Sequence, residues 1–378
     1  MVGEEISFRQ EVLKTFRREN PHKIVWQPRL EHWYNVNQVR GTLPESYRGA
    51  SLLDIYRDLP ASLRYYYGEG KDISSPDTYI IFEYVDGAEV KEVREGENIY
   101  VYFYSPLGNL RGVKRLGEWG CSWHYLEHPV KTLEDLNILE YIVTHTHYRF
   151  NWEFYEVAKS TIGEWGEIQF YWERSPFQRL FLQYKGIENT VFLIQDHPDR
   201  LKEYLKKAEE AENELFEVLS SCPITILNFG ENIDGRFDSP RLYHEYLLPY
   251  YKKRVDELHR AGKFCHLHMD GYLKPLLPYL REAGFDGIEG ATPLPQGDIA
   301  VEDLKEAMGE MILLDGIPML LFLPEYTREE LEEFTKKILK LFSPNLILGI
   351  SDEISPPGDI EKVEFVSQVV EEWNGERR

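Results

Sequence analysis

Four short polar clusters sit at the ends of apolar runs, and their residue types suit metal-assisted or acid–base chemistry. His266, His268 and Asp270 occupy alternate positions, so on a strand they share one face. Two imidazoles and a carboxylate at that spacing suit zinc or another divalent cation. Glu231, Asn232 and Asp234 follow another apolar run. Glu231 would add an oxygen ligand, and Glu245, in the first turns of the next helix, could reach the same place. Arg29, His32, Trp33 and Tyr34 follow the first apolar run, and Asp352 and Glu353 follow the last. Each cluster also has a plainer reading. A His-x-His on a buried strand often serves buried backbone, Glu231 suits a helix entry, and Trp33 and Tyr34 suit a core. Strand alternation aims Cys265 away from the histidines, which makes it a small core residue and not a nucleophile.

The elements that would position these clusters are clearest in the second half. Residues 223–229, 264–269, 287–289, 311–314 and 346–350 are short apolar runs suited to buried parallel strands. Helical periodicity fills 241–261, 272–283, 301–308, 327–341 and 360–373 between and after them. Strands alternating with helices mean βα units and a parallel sheet. No Gly-x-Gly-x-x-Gly or Walker-type loop follows any strand, which removes the main support for an open nucleotide-binding sheet. The first part is less regular. A helix over 7–18 precedes a strand over 23–27, and a helix over 52–59 precedes strand-like runs at 78–85, 90–93 and 99–104. Residues 106–109 read as a turn, and helical pattern returns over 131–148. No linker flanks the β-rich stretch near 75–130, so it reads as an insertion decorating a single domain that spans 1–378. In a parallel barrel the functional groups lie at the C-terminal strand ends, where all four clusters fall.

Composition narrows the function further. The 378 residues carry 65 acidic against 43 basic side chains, a formal charge of -22. Such a surface repels phosphate backbones and anionic lipid, which argues against a nucleic-acid or membrane role. The hydrophobic fraction of 42% fills a sizeable core. Cys121, Cys222 and Cys265 are too few and too scattered for a disulfide framework. No apolar run approaches the ~18 residues of a membrane span, and the first residues lack the apolar centre of a signal peptide. A cytoplasmic protein with reduced thiols is expected.

Several segments together resemble the uroporphyrinogen decarboxylase-like superfamily. They are Gly230-Glu231-Asn232-Ile233-Asp234, Ser239-Pro240, Leu248-Pro249-Tyr250-Tyr251 and His268-Met269-Asp270-Gly271. Leu43-Pro44-Glu45-Ser46-Tyr47-Arg48-Gly49 and Ser51-Leu52-Leu53-Asp54-Ile55-Tyr56 look like its opening. Glu127-His128-Pro129-Val130-Lys131-Thr132-Leu133-Glu134-Asp135 is similar to a segment of its corrinoid-methyltransferase branch. The resemblance implies a (β/α)8 TIM barrel. On the methyltransferase side it implies zinc and a corrinoid protein as partner.

The chain departs from both main patterns. The decarboxylases grip substrate carboxylates with an Arg-x-x-x-Arg segment, and here Trp33 stands in place of the second arginine after Arg29. The coenzyme M methyltransferases resemble His-x-Cys-Gly where this chain has His268-Met269-Asp270-Gly271. Oxygen and nitrogen ligands suit a harder zinc that polarises an ether oxygen. By this resemblance Glu231, Glu245 and His268 would hold the metal, with His266 an alternative to His268. Arg29, Trp33, Tyr34 and Asn232 would line the substrate site, and Arg29, Asp234 and Asp270 would take catalytic parts. The expected function is a zinc-dependent methyltransferase acting with a corrinoid protein, compatible with a homodimer. The alternatives are a metal-free decarboxylase of a smaller acid and a non-catalytic barrel.

Overall fold

The protein is seen in a computed structural model that describes residues 7–65, 79–117, 123–172 and 174–376. Thr78, Cys121 and the parts 75–78 and 118–122 of the β-rich stretch lie outside the described residues. Seven parallel strands form one curled sheet. They are β1 (Val25–Trp26), β8 (Gln169–Trp172), β9 (Ile226–Phe229), β10 (Phe264–His268), β11 (Gly287–Glu289), β12 (Ile312–Pro318) and β13 (Leu346–Ser351). Their order is β1-β13-β12-β11-β10-β9-β8, so the first and last strands of the chain are neighbours. Every residue of β9, β11, β12 and β13 is buried. That is the signature of a parallel sheet covered on both faces, and it explains why these strands read as unbroken apolar runs.

Residues 61–65 bridge the gap between β1 and β8. Ser62 N–H donates to the Trp26 carbonyl at 2.8 Å, and Gln27 Nε2 donates to the Leu63 carbonyl at 3.3 Å. On the far side a Cβ on Gly166 would lie 2.0 Å from the Leu63 oxygen, so only glycine lets the two backbones approach there. This seam carries Arg64 and Tyr65 into the interior of the curled sheet.

The remaining strands are antiparallel. β2 (Ile80–Tyr84) pairs with β7 (Thr146–Phe150), and β3 (Glu89–Glu95), β4 (Asn98–Ser105), β5 (Gly108–Leu116) and β6 (Trp123–Glu127) form a four-stranded meander. The helix Leu133–Thr144 packs on β4 and β5 and opens with a capping box between Thr132 and Asp135.

Three local expectations are corrected. Helical pattern over 131–148 ends at Thr144, because Thr146–Phe150 pairs with β2 and alternates buried and exposed. The segment 272–283 makes only a 3-10 stretch, Lys274–Tyr279, since Pro275 and Pro278 each remove a backbone donor. The helix expected over 241–261 splits into Pro240–Leu242, a π-turn Tyr243–Leu247 and Leu248–Arg260. Pro249 has no N–H to give the Glu245 carbonyl, and the wider turn absorbs that loss.

Candidate active site

The C-terminal ends of the parallel strands converge on one carboxylate, Glu289 at the end of β11. Its Oε1 accepts from Arg64 Nη1 at 2.8 Å, Tyr65 OH at 3.3 Å and Arg29 Nη1 at 3.4 Å. Its Oε2 accepts from His268 Nδ1 at 2.8 Å and from Asn228 Nδ2. Glu289 is fully buried. Burial alone would raise its pKa, but His268, Arg29 and Arg64 hold it well below the usual carboxylate range.

Both arginines bind acids. Arg29 binds Asp352 with Nη1 and Glu353 with Nη2, the latter at 2.8 Å. Arg64 makes a fork to Asp315, Nη2 to Oδ1 at 2.7 Å and Nη1 to Oδ2 at 3.2 Å, while its Nε donates to Gln27 at 2.8 Å. Burial pushes Asp315 up to about 6, against the opposing pull of Arg64. Burial also raises Asp352, against the pull of Arg29 and His268.

His268 stands between the buried and open sides of this network. Its Nε2 lies 3.8 Å from Asp270 Oδ2, too long for a hydrogen bond. Burial would lower its pKa, yet Glu289, Asp352 and Asp270 hold it well above the usual imidazole value. Asp270 and Asp352 keep 31% and 35% of their side chains exposed, so they form the accessible rim beside the imidazole. Asn232 donates to Asp270 at 3.4 Å and accepts from Arg174 at 2.8 Å.

The donor set fits a divalent cation. One ligand atom each from His268, Glu289 and Asp352 lies within 4.8 Å of the others. A nitrogen and carboxylate oxygens match zinc or a harder ion. Five donors already occupy Glu289, whereas Asp270 and Asp352 face the open side with His268 Nε2. Of the three clustered residues, His268 through Nε2 and Asp352 are thus the ones open to a cation, with Asp270 on the rim 3.8 Å from the same nitrogen.

The structure brings Arg29, His268, Asp270 and Asn232 to this place, and sends the other expected residues elsewhere. Glu231 is buried with its carboxylate on Ser175, accepting from the backbone N–H at 2.7 Å and the hydroxyl at 2.9 Å. Glu245 lies on the π-turn of the outer helix, near Lys202 and Arg241 at 3.7 Å each. The set Glu231, Glu245 and His268 is thus not assembled around one point. Among the described residues the groups that cluster with His268 are Glu289 and Asp352. Replacing Glu245 by alanine should change stability by less than about 0.5 kcal/mol, as a melting curve would read.

His266 points into the sheet interior, where its Nε2 meets Gln169 Oε1 at 2.9 Å and burial lowers its pKa to about 3. It is a neutral core residue. Asp234 pairs with Arg236 on the rim. Trp33 gives its indole N–H to the Gly358 carbonyl at 3.0 Å, and Tyr34 gives its hydroxyl to Ala50 at 2.9 Å. Both belong to the main core.

Sequence reasoning passed over Arg64, Tyr65, Asn228, Glu289 and Asp315. One signal was available. Gly287-Ile288-Glu289-Gly290 puts a carboxylate inside a buried strand flanked by glycines, and such a charge needs partners.

Comparison with known proteins agrees with this architecture. The family model described as Uroporphyrinogen decarboxylase (URO-D) matches residues 174–373. No curated protein gives a significant match. Among solved structures, a methyltransferase from Methanosarcina mazei is similar with a TM-score of 0.63 and 14% identity, over 98% of this chain and 99% of that one. A B12-independent methionine synthase from Shewanella sp. W3-18-1, in complex with selenomethionine, is similar at a TM-score of 0.47 and 13% identity over 86% of each chain. At these identities the first likeness is one of fold. The family match covers more than half of the chain and includes the strands bearing Asn228, His268, Glu289 and Asp315, and the chain therefore belongs to the uroporphyrinogen decarboxylase family.

Proposed function

We propose that the protein is a methyltransferase of this family, moving a methyl group between a small methoxylated or methylated compound and a corrinoid protein. The observation that carries the reading is the His268–Glu289–Asp352 cluster at the strand ends, with an acidic, accessible rim in front of it. In this reading the whole chain acts as one unit, and the meander β3–β6 is an insertion in it. Zinc bound at His268 would supply Lewis acidity to the heteroatom that bears the methyl group.

The chain's own residues do the rest. Glu289 holds the imidazole, and Asp270 and Asp352 present oxygens at the mouth. Arg29 orients Asp352 and Glu353 and is itself shielded from solvent. Its loss by Arg29→Ala should cut turnover at least 10-fold by releasing Asp352, with the fold retained in circular dichroism.

The acidic rim also speaks to substrate charge. Arg64 supplies the second arginine that the N-terminal sequence lacks after Arg29. Glu289, Asp315, Asp352 and Glu353 already claim the terminal nitrogens of both guanidiniums. A substrate with several carboxylates would enter against the like charge of Asp270 and Asp352, at a cost on the order of several kcal/mol. Two measurements test the reading. Elemental analysis should find about one zinc per chain in wild type and little in His268→Ala. Reduced corrinoid should show its methylation absorbance change with at least one donor from a panel of methoxylated aromatics and methylamines. Absence of zinc, or release of carbon dioxide from uroporphyrinogen at an enzyme-like rate, would overturn it.

A further inference from the structure

Glu289 is inaccessible from the mouth, yet more side chains converge on it than on any rim residue. Its donors come from residues 29, 64, 65, 228 and 268, on four separate stretches of chain, so the carboxylate has little freedom to move. An acceptor 2.8 Å from His268 Nδ1 requires the ring proton on that nitrogen. Once the ring gives up its second proton, as a metal ligand must, the lone pair lies at Nε2, the nitrogen that faces Asp270. Gly290 closes the arrangement from behind. It has φ +78°, and a Cβ there would lie 3.0 Å from His268 Cε1 and 3.1 Å from Nδ1. A side chain at this position would press on the ring edge, so glycine leaves the imidazole undisturbed in its bond to Glu289.

We infer that Glu289 is a positioning residue that acts through His268, holding the Nδ1 proton so that Nε2 is the nitrogen offered at the mouth. The inference extends the proposed metal site by naming what selects the ligating atom. A carboxylate behind a histidine ligand fixes ring orientation and raises ligand basicity, and its loss typically costs 10–100-fold in metal affinity.

The experiment uses the full chain, labelled with nitrogen-15, and long-range proton–nitrogen correlation of the His268 ring. In wild type the Nδ1 proton should be present without zinc and should persist with one equivalent of zinc, while the Nε2 signal changes. Glu289→Gln should bind zinc about 10–100-fold more weakly in competition with a chromophoric chelator, and Glu289→Asp, which keeps the charge, should recover part of that loss. Zinc displacing the Nδ1 proton, or zinc affinity in Glu289→Gln equal to wild type, would overturn the inference. If Glu289→Gln does not fold, the wild-type spectra decide alone. A wild type that binds no zinc but keeps a slowly exchanging Nδ1 proton would sink the metal reading and still support the role of Glu289.

Discussion

Replacing Arg64 by alanine is expected to lower the unfolding free energy by about 3–5 kcal/mol, the usual cost of stranding a buried charge. Arg64 is 2% exposed and touches Glu289, Asp315 and Gln27 at once. Its removal leaves two buried carboxylates with one cation fewer, and Gln27 without its donor. Lysine at this position should recover only part of the loss, because a single ammonium cannot reproduce the fork to Asp315. Lower pH should narrow the gap between variant and wild type. Asp315, already pushed up to about 6, can take a proton and shed the charge that Arg64 would have balanced. Urea unfolding followed by tryptophan fluorescence at pH 7.5 and pH 5.5 reads both effects. An unchanged midpoint would mean that the interior network tolerates the hole by recruiting another cation.

The second large effect is a dependence of stability on pH that Glu231 imposes from outside the candidate site. Burial pushes its carboxyl from an ordinary 4.5 up to about 7, although both Ser175 donors favour the charged form. The folded protein therefore binds a proton here more tightly than the unfolded chain does. The stabilisation is fully present below pH 4.5 and is lost as pH rises through about 7. The shift is worth about 3 kcal/mol. Wild type should lose that much stability between pH 4.5 and pH 8 through this group, and Glu231→Gln should flatten the slope by the same amount. Equal slopes in the two proteins, measured from urea midpoints in a series of buffers, would show that Glu231 is ionised in the fold at all these values.

The parts legible in the sequence were those whose physics is local. The runs at 226–229, 264–268, 287–289 and 346–351 became strands because apolar residues at short length, punctuated by glycine and proline, leave few other choices. His268, Asp270 and Arg29 were found because strand ends in a parallel sheet carry function. What escaped was long-range. Arg64 and Tyr65 sit on a seam with no strand periodicity, held by contacts to Trp26, Gln27 and Gly166. Nothing near residue 64 announces that it will meet residues 289 and 315. Strand-end position and resemblance both point Glu231 and Glu245 toward His268, and packing turns them elsewhere. Ser175 captures the first, and the π-turn leaves the second near Lys202 and Arg241. A carboxylate's type and neighbourhood in sequence did not say which way its side chain would turn.

The pairing of β1 with β13 has a consequence for the protein's birth. Val25 sits opposite Ile347, so roughly 320 residues must be synthesised before the first strand meets its neighbour. At about 5–20 residues per second that wait is roughly 15–65 s. Throughout it, Val25 and Trp26 leave the ribosome with one backbone edge unclaimed, beside an apolar helix face that includes Val12 and Phe16. An open edge next to sticky surface is what recruits stray strands from other chains. Nascent chains of this protein should lean on holding chaperones until their C-terminal tenth appears, and a chain cut short before residue 346 would keep that edge for life.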